Sequence, residues 1–366
     1  MVYTPEFWMK TAEVDGGVEV VVADKFLPGY QHVPRYIGGR YHGSDDGNGG
    51  LTSVAGAAML SDSVSLETLH SRAKANGMTL EDIWTWTADT VLCAVEFATL
   101  DSQSAIGSGV SSLYRASSEH PYVAETGATR VIAPVAFANV AIVGAILAFG
   151  TSNDRGTTAR RIITSITDYT DSNYKIINFS GGTVDVTTSL FISIHGLSNL
   201  PDAEIGSSSG YIGTNGKANA YYRGRVAHAN AFRYVLGAYR QTGTGNIWIA
   251  HDREEADAYD GLDTSVHIDT GFTLPYDSSG TNQQGYINEL YFHDKFPLFM
   301  FVKSVGGSSS NPVGDYLWHP ASTTVDTILQ AGGNASGGAG CGRLSGAWSG
   351  TSGGAWWIRA ALPFLK

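Results

Sequence analysis

Gly332 to Lys366 reads GGNASGGAGCGRLSGAWSGTSGGAWWIRAALPFLK: rich in glycine and serine, almost uncharged, and carrying Trp348, Trp356 and Trp357. Glycine and serine adapt to the shape of a partner, while tryptophan supplies a large, stiff contact area at low entropic cost. Linkers do not need tryptophan, so the stretch reads as a recognition surface. The alternative is that a glycine-rich terminal segment packs its tryptophans into the protein's own core.

Working outward, a compact aromatic block precedes the tail. It contains Tyr221-Tyr222-Arg223-Gly224, Phe232 to Gly237, Gly245 to Ala250, Gly306-Gly307-Ser308-Ser309-Ser310 and Asp315-Tyr316-Leu317-Trp318. The Ser/Gly-rich break Gly206 to Gly216 puts a domain boundary near residue 215. From Ile162 to His195 the pattern has period two, with Tyr174 to Phe179 and Thr183 to Thr187 predicted as a hairpin around Ser180-Gly181-Gly182, a small β insertion over 161–214. The uncharged run Val131 to Gly150 is long enough to span a bilayer. Pro134, Asn139 and Gly144 break it into β-branched pieces, so it is predicted as two buried strands, with no membrane insertion.

Residues 1–160 form the first predicted part. Short strands and hairpins are expected up to residue 60, followed by two helices. One starts after Ser65, places Leu66, Leu69 and Ala73 on one face and stops at Gly77. The other opens with Thr79-Leu80-Glu81-Asp82 as a capping box and turns Ile83, Trp84, Thr87, Val91 and Val95 to a core. The fold class expected for the whole chain is α+β, mixed and β-rich.

Composition narrows the function. The 366 residues are 43% hydrophobic and only 16% charged, with 45 glycines and a net charge of −11. No basic run offers Lys and Arg to displace counterions, which argues against nucleic acid. Cys93 and Cys341 sit in no C-x-x-C pattern and are expected to be free thiols, without a zinc site. The start, MVYTPEFWMK, carries no secretory signal pattern.

Three constellations resemble chemistry and have a plainer explanation. Gly206-Ser207-Ser208-Ser209-Gly210 has the spacing of a serine-hydrolase elbow, but neither the preceding strand nor the following helix is predicted, so a loop is expected. The acidic run His251 to Glu255, with Asp257, Asp260, Asp263, His267 and Asp269, offers oxygen ligands that fit no EF-hand spacing, and a solvated loop is expected there and at Asp45, Asp46 and Asn48. Glu254 and Glu255, adjacent in sequence, would point to opposite faces of a strand and could not flank one glycosidic bond. No cofactor, no metal and no catalytic residue is predicted.

The ordered aromatic and glycine motifs resemble those of phage and prophage receptor-binding proteins of the major tropism determinant type, some of which are diversified by retroelements. In these, a Y-R-G-x-E-N…W-x-W-x-D-G block precedes G-G-S-S-S and a terminal G-G-x-W-x-x-G-x-x-A-G. Here Arg225, Val226 and Ala227 stand in place of x-E-N, Gly237 lacks the preceding Asp, and Ala335 stands where a Trp is common. Tyr36 to Tyr41, Leu51 to Gly56, Ala73 to Gly77 and Glu96 to Gln103 are similar to the family's N-terminal part.

The resemblance implies a C-terminal C-type lectin-like domain of the formylglycine-generating-enzyme subtype over 215–366, a homotrimer, a place at the virion's tail or fibre tip, and other virion proteins as neighbours. It implies that the chain is not an enzyme and that it adheres to a bacterial cell-surface receptor, protein or glycan. The receptor-binding side chains would be Asn334, Ser336, Arg343, Ser345, Trp348, Ser349, Thr351, Ser352, Trp356 and Trp357, joined by Tyr316, Trp318 and His319. Trp348 and Trp356 would be the anchors. A structural tail or capsid decoration protein of the same fold is the alternative, and a carbohydrate-active enzyme the third choice.

Overall fold

The computed structural model describes residues 1–15, 17–57, 59–60, 64–107, 109, 114–115, 119–151, 158–197, 220–228, 231–274, 284–293, 296–318, 324–334, 337–351, 353, 359–360 and 363–365. Strands hold 44% of the chain and helices 15%, which makes it a β-rich mixture of the two.

Its spine is a nine-stranded sheet. In spatial order the strands are Ile268–Thr273, Asn246–Ile249, Phe232–Arg240, Thr327–Ala331, Gly346–Gly350, Tyr316–Trp318, Gly285–His293 and Phe296–Val305, with Arg359–Ala360 pairing in parallel beside Phe232–Arg240. Strand register defines two adjacent lines of cross-strand neighbours. Arg233, Ala331, Gly346 and Leu317 form one, and Tyr234, Gln330, Ala347 and Trp318 the other. Because successive side chains point to opposite sides of a sheet, the two lines face opposite ways.

A helix covers each face. Helix α1, Leu66–Ala75, lays Leu66, Leu69 and Ala73 against Tyr234, Leu236, Tyr239 and Ile328. As predicted, Ser65 caps its start, accepting a hydrogen bond from the Thr68 amide. Helix α2, Ile83–Phe97, packs Ile83, Trp86 and Val91 with Val235, Leu317, Leu329 and Leu344 on the other face. Its capping box is Asp82 with Thr85, one turn later than the Thr79–Asp82 pairing expected, because Met78–Leu80 is a strand. Wedged between strands, this helix is buried on all sides from Ile83 to Cys93, whereas Val95, expected in the core, is exposed.

Gly237 is the hinge of the central strand. Tyr234 and Leu236 face α1, yet Ala238 faces the α2 core and Tyr239 the α1 side, so the alternation shifts within a β-bulge at this point. Gly237 has φ +73, and a Cβ there would lie 2.7 Å from the Ala250 Cβ and 2.8 Å from the Ala256 Cβ. Gly237→Ala therefore combines a disfavoured backbone with an overpacked contact, and is expected to cost about 2–4 kcal/mol. A urea midpoint equal to wild type would contradict this.

The first and last parts of the chain share one body. Phe7 and Met9 join the core of α2 and the nine-stranded sheet, and Phe364, in the strand Pro363–Leu365, lies between Tyr36–Gly38 and Met78–Leu80. The division into 1–160 and 215–366 is thus corrected. The apolar side chains of 1–107 cover the sheet built by 220–365.

The β insertion is larger than 161–214 and starts earlier. Its six-stranded sheet runs Arg130–Pro134, Tyr174–Ser180, Ala159–Asp168, Ala145–Gly150, Phe191–Leu197, Tyr114–Arg115. Val131, Phe137, Leu147, Phe149, Ile163, Ile177, Ile192 and Ile194 fill its own core. A boundary at 160 would cut a strand that pairs Ile146 with Ile162. Val131 to Gly150 supplies two buried strands, as predicted, but its middle forms a short helix, α4, Val135–Ala138; among the described residues no helix is long and apolar enough to cross a membrane. The predicted hairpin around Gly181-Gly182 does not form. Tyr174–Ser180 pairs with its neighbours in the six-stranded sheet, while Val184–Val186 pairs with Glu125–Ala128 in a second, two-stranded sheet.

Candidate functional site

Tyr316 and Trp318 stand on the α1 side of the nine-stranded sheet, on strands that α1 does not cover. Their rings lie 4.5 Å apart. Tyr286, opposite Tyr316 in the register, meets it edge-on at 5.2 Å, and Phe232 meets Trp318 edge-on at 5.5 Å. Four aromatic rings from three strands therefore form a row across one sheet face. Tyr286, Tyr316 and Trp318 are half-buried, each keeping some surface open to solvent.

The glycine-rich tail borders this row. The single turn Gly338–Gly340 lies over it, and a Cβ on Gly340 would come within 3.1 Å of both Tyr316 and Trp318. Gln103, on helix α3 (Ser102–Ile106), fixes the turn from outside by donating from Nε2 to the Ala339 carbonyl at 2.8 Å and to that of Cys341. Beneath it the Cys341 thiol fits where Gly333 and Gly337 leave no room for a Cβ, at 2.5 and 2.6 Å, and donates to the Asn334 carbonyl. Glycine here serves close packing of backbone on side chain.

The residues expected to form the contact surface separate into three groups. Tyr316 and Trp318 are brought together at the surface, and Thr351 is half-buried. Asn334, Arg343, Ser345 and Trp348 are corrected to interior positions. Trp348, 5% exposed, faces Ile83, Trp86, Leu317 and Leu344, because Leu344, Gly346 and Trp348 alternate onto the α2 side of the sheet. Arg343 points inward, donating to the Ala227 carbonyl at 3.3 Å and the Thr90 hydroxyl at 3.5 Å, while its amide donates to Ser102 Oγ. The Ser345 hydroxyl donates to the Gly340 carbonyl at 2.6 Å. Ser336, Ser352, Trp356, Trp357 and His319 lie outside the described residues, as does the serine motif 206–210; Ser349 lies in the strand Gly346–Gly350.

Polar chemistry is concentrated in the interior, which the sequence reading did not foresee. Glu81 and Arg233 pair at 2.9 Å, both out of contact with solvent. Arg225, one of the departures from the family motif, pairs with Asp89, which also accepts from the Tyr36 hydroxyl at 2.6 Å. Burial pushes the Asp315 carboxyl well above its ordinary value, opposed by the hydrogen bond it accepts from the Leu344 amide. These groups join the N-terminal strands, α2 and the C-terminal sheet, and act as internal ties.

The acidic run is structural as well. Asp252 caps a short helix α5, Arg253–Ala258, and Asp257 and Asp260 hold the two ring nitrogens of buried His70 at 2.8 and 2.5 Å. The expected solvated loop is corrected here, since the run latches α5 onto α1. Asp45 and Asp46 instead order their own turn, accepting from the amides of Gly47, Asn48 and Gly50. Among the described residues no group of three or more His, Cys, Asp or Glu is placed to hold a metal ion. Burial pushes the Cys93 thiol up to about 11 and the Cys341 thiol up to about 12, which leaves both unreactive at neutral pH.

A concavity opens beside α2. It is an open groove of about 830 Å³ between the C-terminal half of α2 and the Gly285–Val305 hairpin, walled by Val91, Val95, Leu290 and Met300, with Glu289 and Lys303 on its lining. Of the aromatic row, the sequence reading missed Phe232 and Tyr286 as site residues. Their signal is the β-alternation that puts Phe232 in phase with Tyr234, and Tyr286 across from Tyr316. No protein-family model matches this chain, and no curated protein matches it in sequence.

Proposed function

We propose that the chain is a phage receptor-binding protein that attaches a virion to a bacterial cell-surface receptor through the aromatic row of its C-terminal, C-type lectin-like part. The observation that carries this reading is the row of Tyr286, Tyr316 and Trp318, left partly open on a sheet face that α1 covers elsewhere. Partly open aromatics of this kind dominate interface energetics, and the close-packed glycine turn beside them holds the rings in place for a partner. The motif series described above supports the same reading. Rigid strands would hold the contact surface, binding would involve no bond cleavage, and a homotrimer would multiply weak single contacts.

The experiment is cell binding by Trp318→Ala, measured below the unfolding temperature of both proteins. Loss of a half-buried aromatic anchor is expected to weaken binding at least about tenfold, on the scale of 2 kcal/mol for a hot-spot residue. Undiminished binding would remove the row from the reading. The open groove beside α2 favours a second reading, a tail or capsid decoration protein whose apolar groove receives a neighbouring virion protein. Under that reading the chain would bind particles and not cells.

A further inference from the structure

The insertion carries an aromatic cluster of its own, far along the chain from the C-terminal row. Tyr122 stacks on Tyr174 with ring centroids 3.8 Å apart and planes inclined by 21°, and meets Tyr169 edge-on at 6.3 Å. Tyr122 is 45% exposed. None of the three belongs to the insertion's core.

Their positions are set by backbone bonds. Tyr122 donates its amide to the Ile132 carbonyl at 2.8 Å, and Tyr174 donates to the Asp171 carbonyl at 3.0 Å. The Asp171 carboxylate accepts from the amide and side chain of Asn173, whose carbonyl accepts from the Val135 amide. The turn Tyr169 to Tyr174 is thus held before any ligand arrives, and little ordering entropy remains to be lost on binding.

The chemistry around the rings selects a ligand. Tyrosine faces carry negative charge density, which attracts the weakly positive C–H face of a pyranose ring. Carboxylates at Asp168 and Asp171 supply acceptors for ring hydroxyls, and hydrogen bonds to an ionised acceptor are the stronger kind. Lys175, 3.5 Å from Asp168, balances one of these charges, so the patch stays acidic and repels phosphorylated or carboxylated sugars. We infer that the Tyr122–Tyr169–Tyr174 cluster is a second binding site on this chain, and that it takes uncharged hexopyranose units of a glycan.

The test is an array of immobilised neutral di- and trisaccharides of glucose, galactose, mannose, N-acetylglucosamine and N-acetylgalactosamine, probed with the full chain beside sialylated and phosphorylated controls. Wild type is expected to bind at least one neutral saccharide. Tyr122→Ala should weaken that binding about tenfold or more, and Tyr122→Phe, which keeps the ring, should stay within about threefold. Trp318→Ala should bind the saccharide as wild type does, separating this site from the C-terminal row. Binding only to charged glycans, binding to none, or equal binding by Tyr122→Ala would overturn the inference. So would a fall in oligomeric mass of Tyr122→Ala by light scattering, which would make the cluster a contact between copies of the chain.

Discussion

Trp348→Ala is expected to lower the unfolding free energy by about 3–5 kcal/mol, as truncation of a large buried aromatic side chain does. Domains of ordinary stability hold about 5–15 kcal/mol in total, so the loss is a large share of it. The reason is positional. Trp348 lies in the middle of the nine-stranded sheet and fills the space between α2 and the strands carrying Leu317 and Leu329, beside Leu344. Trp348→Phe keeps most of the apolar contact and should cost less than half as much. Chemical denaturation of the three proteins checks the order. Equal midpoints for wild type and Trp348→Ala would mean that the indole is not part of the core. Any loss of cell binding by Trp348→Ala is expected to follow its loss of fold, in contrast with Trp318→Ala.

The second large effect concerns the interior charges. Burial pushes the Glu81 carboxyl up and the Arg233 guanidinium down from their ordinary values, in each case against the attraction of the other. Desolvation therefore outweighs attraction on both sides, and the pair is stable chiefly by comparison with half a pair. Arg233→Met, which leaves Glu81 buried and unpaired, is expected to cost about 3–5 kcal/mol, whereas Glu81→Met with Arg233→Met together should recover most of that loss. The single variant should also be less destabilised in acid, since protonating the orphaned Glu81 relieves its burial cost; its stability falls as pH rises from the unfolded carboxylate range up through the raised value that burial gives Glu81 in the folded chain. Additive costs in the double variant would contradict this account. The sheet would then depend on the attraction between the two charges.

What could be read in advance follows the range of the forces involved. Helix α1 was legible because its signals are local: Ser65 before the first turn, Leu66, Leu69 and Ala73 at helical spacing, Gly77 after the end. The strands within Val131 to Gly150 were legible because breakers and β-branched residues alternate within a few positions. The interior of the tail was not, because whether Trp348 faces in or out depends on its register against Thr327–Ala331 and Tyr316–Trp318, which no composition records. The alternation Leu344, Gly346, Trp348 was the available clue, masked by glycine where an apolar side chain would have marked the face. The pairs Glu81–Arg233 and Asp89–Arg225 join residues more than a hundred positions apart, and local spacing carries no trace of them. The start of the insertion was missed for the same reason, since strands on both sides of residue 160 share one sheet.

The most direct test of receptor binding is flow-cytometric binding of the labelled full chain to a broad panel of intact bacteria, with Trp318→Ala and Trp348→Phe measured in parallel at matched folded fractions. The account predicts saturable binding of wild type and Trp348→Phe to at least one strain, and its loss in Trp318→Ala. Wild type failing to bind any strain, or Trp318→Ala binding as wild type does, would contradict it.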